Sequence, residues 1–280
     1  NLHQCVVVDD EFMQKLERNN TEARDLWITI LKSRMETGEP YIMFKDTVNK
    51  NNPISYRMNN LNVSMTNICS EITLFTDEEH SFICCLSSLN LAKWEEYKDT
   101  DCIQTAIWFL DGVMEEFIQK SNGTDSLLRT HNHARKGRAL GLGVMGWHTF
   151  LQKKDLPFNS IASTAWTHTI FSQIKLKAEA ASRQLADEYG EPLWCKGTGM
   201  RNTHLLAVAP TVSNSVICGG ISAGIEPLPA NVYTFNGAKG TFIRKNKSLQ
   251  EILISKGEDK DKWWDQMLQD DGSAQNLPDN

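Results

Sequence analysis

The chain has 280 residues, is 40% hydrophobic and 23% charged, and carries a formal net charge of −6. That length suffices for one large domain or two small ones with a real core. The mildly acidic balance excludes a general basic footprint for nucleic acid but leaves room for a local nucleotide site, and no apolar run approaches the length that spans a bilayer.

The start, "NLHQCVVVDDEF", has no basic head and an apolar run of three valines, so it does not read as a signal peptide. It also lacks an initiator Met, and the expectation is that it begins inside a longer gene product. Seven cysteines are an odd count at irregular spacing. Without an export signal, free or redox-active thiols are expected rather than a disulfide scaffold. The Asn122-Gly123-Thr124 sequon then marks only a loop.

Residues 21–37 read as a helix, with Leu26, Ile30, Leu31 and Met35 near one face and Gly38 as a stop. The Asn-rich segment 39–62, with Pro53, reads as loop. Two apolar stretches at 67–75 and 81–91 read as strands around the acidic turn "TDEEH". A second helix covers 100–120, with Ile103, Ile107, Leu110, Met114 and Phe117 at helical spacing. Further helices are expected at about 139–153 and 161–189, the latter ended by Gly190 and Pro192. The segment "THLLAVAPTVSNSVICGGISAGIEP" reads as a short strand entering a Ser/Thr/Gly-rich turn, and the end, "GSAQNLPDN", is polar. Strands alternating with helices give an α/β class.

In an extended chain the side chains at i, i+2 and i+4 share a face, so "NICSE" would project Asn67, Cys69 and Glu71 together. An amide that orients, a thiol that reacts and a carboxylate that moves a proton make a candidate active site. The plain alternative is an edge strand with a polar face and a structural Cys. Cys84 and Cys85 are vicinal, so on a strand only one can share a cleft with Cys69, and the other is a small buried hydrophobe. In "APTVSNSVICGG", Thr211, Ser213, Asn214 and Ser215 before a helical turn suit a phosphate, or else form an ordinary capped turn. "GLGVMG" at 141–146 fits G-x-G-x-x-G, but lacks the preceding strand and the later acidic residue of a dinucleotide fingerprint. Its glycines are read as close helix packing. His131 and His133 form a lone H-x-H without further ligands, and solvated loop histidines are the expectation.

Together, "SMTNICSEITL", "FICCLSSLNLAKW", "RALGLGVMGWHTFLQ" and "APTVSNSVICGGISAGIEP" resemble the catalytic large subunit of class I ribonucleotide reductases, in the style of aerobic bacteria or their phages, through most of residues 20–235. The resemblance implies part of a ten-stranded α/β barrel, its second half, with a central finger loop at about 64–76 and a phosphate loop at about 209–216. It implies that Cys69 becomes the thiyl radical that takes the 3′-hydrogen of a ribonucleoside diphosphate. Glu71 is then the general base at the 3′-hydroxyl, and Asn67 binds the ribose hydroxyls. Ile68 and Ser70 lie against substrate with them. Cys84 is one of two thiols that reduce the 2′ position and end as a disulfide. Pro210, Thr211, Val212, Ser213 and Asn214, with Ser215 beside them, hold the phosphates. Val212 and Asn214 depart from the family's usual Pro-Thr-Ala-Ser-Thr-Ser, so backbone N–H groups would serve there.

The resemblance also implies partners. The radical comes from a dimetal-tyrosyl small subunit in preference to adenosylcobalamin, with thioredoxin or glutaredoxin as reductant. A homodimer of large subunits, a cytoplasmic location, no bound metal, no nucleic acid and no membrane contact are expected. The upstream half-barrel with the redox partner of Cys84 has no match here, and Cys5 lies too close to the finger loop to replace it. The N-terminal cone domain, the Tyr-Tyr relay and the C-terminal cysteine pair also have no match, and Tyr233 stands alone. The chain is therefore expected to be an excerpt or a split piece that does not reduce nucleotides alone. A competing reading is a non-catalytic assembly remnant of the same family. A simple thiol oxidoreductase would need a C-x-x-C pair, which the sequence lacks.

Overall fold

A computed structural model describes residues 3–237 and 240–277. In chain order the elements are β1 (Cys5–Val8), α1 (Asp10–Glu17), α2 (Thr21–Thr37), β2 (Tyr41–Phe44), α3 (Lys45–Lys50), α4 (Ile54–Met58) and β3 (Leu86–Asn90). Then follow α5 (Trp94–Tyr97), α6 (Cys102–Ser121), α7 (Leu128–Gly137), β4 (Gly141–Met145), α8 (Trp147–Lys153) and α9 (Ile161–Tyr189). The last are α10 (Val212–Ile217), β5 (Val232–Gly237), β6 (Gly240–Lys245), α11 (Lys247–Ser255) and α12 (Asp261–Gln269). Among the described residues the strands pair as β1–β2, β3–β4 and β5–β6. No described helix is long and apolar enough to cross a membrane.

The chain divides into two compact units. The first holds Asn1–Ser87, Asp101–Leu142 and Gln173–Ala209; the second holds Ser88–Thr100, Gly143–Ser172 and Pro210–Asn280.

In the first unit, β1 and β2 pair in parallel from Cys5↔Tyr41 to Val8↔Phe44. The α2 helix starts on Asn20, whose side chain accepts from the Ala23 N–H, and stops at Gly38 with φ +79°. Both ends follow from cap chemistry. Of the apolar residues expected on one face, only Ile30 is buried; Leu26, Leu31 and Met35 are exposed. The segment read as loop at 39–62 instead holds β2, α3 and α4. Elements of four to six residues are too short to show a period, and side-chain hydrogen bonds replace it: Asn52 donates to Asn49 Oδ1 at 2.9 Å. The α6 helix is as expected, with Ile103, Ile107, Leu110 and Met114 buried.

The expected helix at 139–153 is two elements, the buried strand β4 and the short helix α8. A continuous apolar run reads alike in a strand covered on both faces and in a buried helix. Gly141 is required there, since a Cβ would lie 2.3 Å from Leu86 Cδ2 and 3.0 Å from Ala207 Cβ. The glycines do serve close packing, but of a strand. Two of them sit within the strand rather than in a turn after it, so the dinucleotide fingerprint stays excluded.

His131 and His133 lie on α7 and not in a loop. His131 Nδ1 is 3.0 Å from Ser121 Oγ, and His133 is buried. Among the described residues no group of three or more His, Cys, Asp or Glu side chains could hold a metal. His133 belongs to an aromatic cluster around Trp194, whose ring is 5.1 Å from His133, 5.3 Å from His80 and 5.8 Å from Phe75. Gly137 admits that ring, because a Cβ there would be 2.7 Å from Trp194 Cε3. His80 Nε2 faces the Lys136 ammonium at 2.7 Å and Nδ1 faces Asp77 Oδ1 at 2.7 Å. An ammonium only donates, so Nε2 accepts and Nδ1–H donates to Asp77.

Burial pushes the His133 pKa down to about 3, with His80 and His204 adding to the shift. His204 shifts in the same direction, also through burial. The unfolded chain therefore binds protons that the folded chain refuses between the ordinary histidine value and about 3. Stability should be full near neutral pH and fall as pH drops below about 6.5, by up to about 1.4 kcal/mol per pH unit for His133. Urea midpoints at pH 7.5 and 5 check this, with His133→Phe expected to flatten the slope.

In the second unit, Trp147 stacks on Phe150 within α8 (5.7 Å between centroids), and Phe150 packs edge-on against Trp166 of α9 (5.3 Å). The β5–β6 hairpin is antiparallel, from Val232↔Lys245 to Gly237↔Gly240. Val232 joins Leu253, Trp264 and Met267 in a small core with α11 and α12. Neither the hairpin nor these helices is foreseen by the sequence reading.

Candidate active site

The loop at 64–76 belongs to the first unit and has pinned stems and a free tip. Val63 before it is buried, and Asn49 grips its backbone from both sides: the Asn49 amide donates to the Val63 carbonyl at 2.9 Å and accepts from its N–H at 2.7 Å. Ile72 and Leu74 are buried, and the Phe75 N–H donates to the Tyr56 hydroxyl at 3.1 Å. Ile68, Cys69 and Ser70 at the tip are exposed. Asn49→Ala should remove both anchors and cost about 2 kcal/mol, since two backbone groups of the stem lose their partners. A urea titration reads that loss; an unchanged midpoint would refute the clamp.

The expected strand at 67–75 is absent. The Ser70 N–H donates to the Asn67 carbonyl at 3.1 Å, and the Asn67 N–H donates to the Ile72 carbonyl at 3.2 Å. Ser70 takes φ +64°, a left-handed conformation incompatible with a pleated strand. Asn67, Cys69 and Glu71 therefore do not share a strand face. A turn gathers two of them instead: Asn67 Nδ2 donates to Glu71 Oε2 at 2.7 Å, while Asn67 Oδ1 accepts from the Ile72 N–H at 3.0 Å. Short polar side chains that bond nearby backbone favour such turns over ladders.

Cys84 faces this turn and Cys85 faces away. Partial burial raises the Cys84 pKa, the Glu71 carboxylate raises it further, a hydrogen bond with Asn67 opposes the rise, and Cys69 adds a small increment. Cys85 is buried, its thiol lies 3.5 Å from the Leu110 carbonyl, and burial pushes its pKa up to about 11. The expectation that one of the pair is a structural hydrophobe holds for Cys85.

Residues 210–215 lie in the second unit. The expected strand before them is reduced to an isolated parallel bridge, Leu142↔Leu206, and the expected helical turn is α10. Thr211 caps it with φ +50°, and its hydroxyl accepts from the Gly224 N–H at 2.8 Å. A β-branched residue in that region is an outlier, held here by the hydroxyl. Ser215 is buried and its hydroxyl donates to the Val212 carbonyl at 3.1 Å. Val212, Ser213 and Asn214 are exposed on the first turn, while Pro210 is half-buried.

Sequence reasoning missed Asn49 and Tyr56. Their signal was the Asn cluster before the loop, which reads as disorder of pattern and is a set of clamps.

With this geometry in hand, comparison with known proteins is decisive for the family. The sequence model of the ribonucleotide reductase barrel domain matches residues 7–197 and 194–280. The chain belongs to that family, a family of enzymes. Among its relatives, a putative ribonucleoside-diphosphate reductase large subunit of Frog virus 3 is 36% identical over 99% of this chain and 52% of its own length. The large subunit of Invertebrate iridescent virus 3 is 34% identical over 93% of this chain and 42% of its own length. The solved class Id ribonucleotide reductase alpha subunit of Actinobacillus ureae superposes with a TM-score of 0.93 at 39% identity, over 99% of this chain and 52% of that one. The chain thus spans about half the length, or less, of the relatives it matches.

Proposed function

We propose that the chain is the ribose-reducing section of a ribonucleoside-diphosphate reductase large subunit and works with the rest of that subunit. One observation carries the reading: the Asn67 amide holds the Glu71 carboxylate at 2.7 Å, and the Cys84 thiol senses both, beside the exposed loop tip that bears Cys69.

Cys69, as a thiyl radical, takes the hydrogen atom from C3′; an S–H bond forms as the C–H bond breaks. Glu71 accepts the 3′-hydroxyl proton, which favours loss of the 2′-hydroxyl. That group leaves as water with a proton from a thiol. Cys84 and a second thiol from the rest of the subunit supply two electrons and two protons and end as a disulfide. Cys69 then returns its hydrogen atom to C3′. The raised pKa keeps the proton on Cys84 until it is needed. Asn67 orients the ribose hydroxyls, with Ile68 and Ser70 beside it. Pro210, Thr211, Val212, Ser213, Asn214 and Ser215 hold the diphosphate, chiefly through first-turn N–H groups of α10.

The same reading supplies the surroundings. The remaining half-barrel completes a ten-stranded barrel about the 64–76 loop and shields the radical from solvent. A dimetal-tyrosyl small subunit is the radical source in preference to adenosylcobalamin, thioredoxin or glutaredoxin is the reductant, and large subunits pair as a homodimer in the cytoplasm. The test combines the chain with the rest of the subunit, the radical-generating partner, dithiothreitol and a mixture of ribonucleoside diphosphates. Deoxynucleotide should appear only in the full combination. Product from the chain alone, or none from the full mixture despite substrate binding, would overturn the reading.

A further inference from the structure

We infer that a second cavity of the first unit, apart from the residues assigned above, binds a phosphorylated organic molecule. The cavity measures about 520 Å³, within the range of small-molecule sites. None of Asn67, Cys69, Glu71 and Cys84 lines it.

Its charge is one-sided. Arg57 of α4 and Lys175 and Arg183 of α9 line it, against the single carboxylate of Glu179. Lys175, Glu179 and Arg183 follow at spacings of four on one face of α9. Glu179 is shared thinly between its neighbours, at 4.0 Å from Lys175 and 3.6 Å from Arg183. Arg57 has no acidic partner among the described residues. Two guanidinium groups and an ammonium with donors to spare recognise phosphate oxygens.

A second, independent feature points the same way. Ser55 lines the cavity, is only 4% exposed, and its hydroxyl has no hydrogen-bond partner among the described residues. Buried polar groups are almost always paired, and this orphan lies just beneath the cationic wall, where a turn of the Ser55 side chain would offer its hydroxyl to a ligand. The rest of the lining mixes polar Asn51, Thr198, Asn202 and Thr203 with an apolar wall of Ile54, Met200 and Leu206. An anionic head against the cations and an apolar body against that wall describe one ligand class, an organic phosphate.

The test uses the full chain and two probes, phenyl phosphate and inorganic phosphate, by calorimetry. Phenyl phosphate should bind at least about tenfold tighter than inorganic phosphate, because its ring covers the apolar wall. Arg57→Ala and Arg183→Ala should each weaken it about tenfold or more, and the exposed Lys32→Ala, which changes charge equally, should leave it unchanged. Ser55→Ala should weaken binding severalfold while the thermal midpoint holds or rises, since it deletes an unpaired hydroxyl. Equal affinity for the two probes, or no binding of either, would overturn the inference. So would arginine variants that bind like wild type, or a Lys32→Ala effect matching theirs.

Discussion

Cys69→Ser should bring deoxynucleotide formation by the reconstituted reductase below detection, a fall of at least about 10³-fold, while leaving substrate binding and the unfolding midpoint in place. The proposed step requires a residue that gives up and recovers a hydrogen atom, and an S–H bond is matched in strength to an activated ribose C–H bond. A serine O–H bond is far stronger, so no radical reaches that position. Cys69 sits exposed at the tip of a loop whose stems are fixed by Asn49, Tyr56, Ile72 and Leu74, so exchanging one heavy atom disturbs no packing. Cys85→Ser makes the contrast, since it places a hydroxyl at a buried site and should lower stability without entering the chemistry. Product formation by chromatography, binding by calorimetry and urea midpoints are the three measurements. A Cys69→Ser enzyme that keeps more than about a tenth of its turnover would remove the radical assignment.

The sequence made the long, capped elements legible. The Asn20 and Gly38 ends of α2, the apolar face of α6 and the Gly190 end of α9 are local chemistry, and local chemistry is what a sequence displays. It also suggested Asn67, Cys69 and Glu71 as candidate site residues, but on a geometry that the fold does not have. Asn67, Cys69 and Glu71 read as alternating on a strand; in the fold a turn with a left-handed Ser70 draws Asn67 onto Glu71. The strand reading failed because the Asn67 side chain competes with the ladder for backbone partners. β4 was hidden for another reason. Its residues are buried on both faces, so no period of two survives, and its Gly141 makes room for Leu86 and Ala207, which lie far away in sequence. Long-range demands of this kind leave no local trace. The Asp111 network is the extreme case, because nothing near position 111 announces its partners.

Asp111→Ala should destabilise the first unit by about 3–5 kcal/mol, the largest stability effect expected outside the apolar core. Asp111 is buried on α6 and takes a bidentate pair from Arg138, Nε at 2.9 Å and Nη2 at 2.8 Å. Arg201 Nε adds a bond at 3.1 Å and Asn202 Nδ2 one at 2.8 Å. Burial works against the charged carboxyl, but Arg138, Asn202 and Arg201 outweigh it and hold the pKa below the usual range. The stability it brings is therefore present above the ordinary carboxylate pKa and lost as pH falls through the depressed folded value. Removing the carboxylate leaves Arg138, itself buried, with one acidic partner among the described residues, the half-exposed Glu115 at 2.6 Å, and the neutral backbone carbonyl of residue 111 at 3.0 Å. Glu115→Ala should cost far less, under about 1 kcal/mol, because its side chain is half-exposed and its charge is screened by solvent. Asp111→Ala with Arg138→Met should recover most of the loss, since the expense lies in the unpaired charge and not in the missing bonds. The network also bears on the site. Leu110, beside Asp111, offers its carbonyl to the Cys85 thiol, next to Cys84, and Arg138 closes α7 three residues before β4 begins. Loosening Asp111 should therefore shift the Cys84 titration in step with stability. Urea melts and thiol titration of the single and double variants decide it, and a single-variant loss below about 1 kcal/mol would show that the buried pair holds nothing in place.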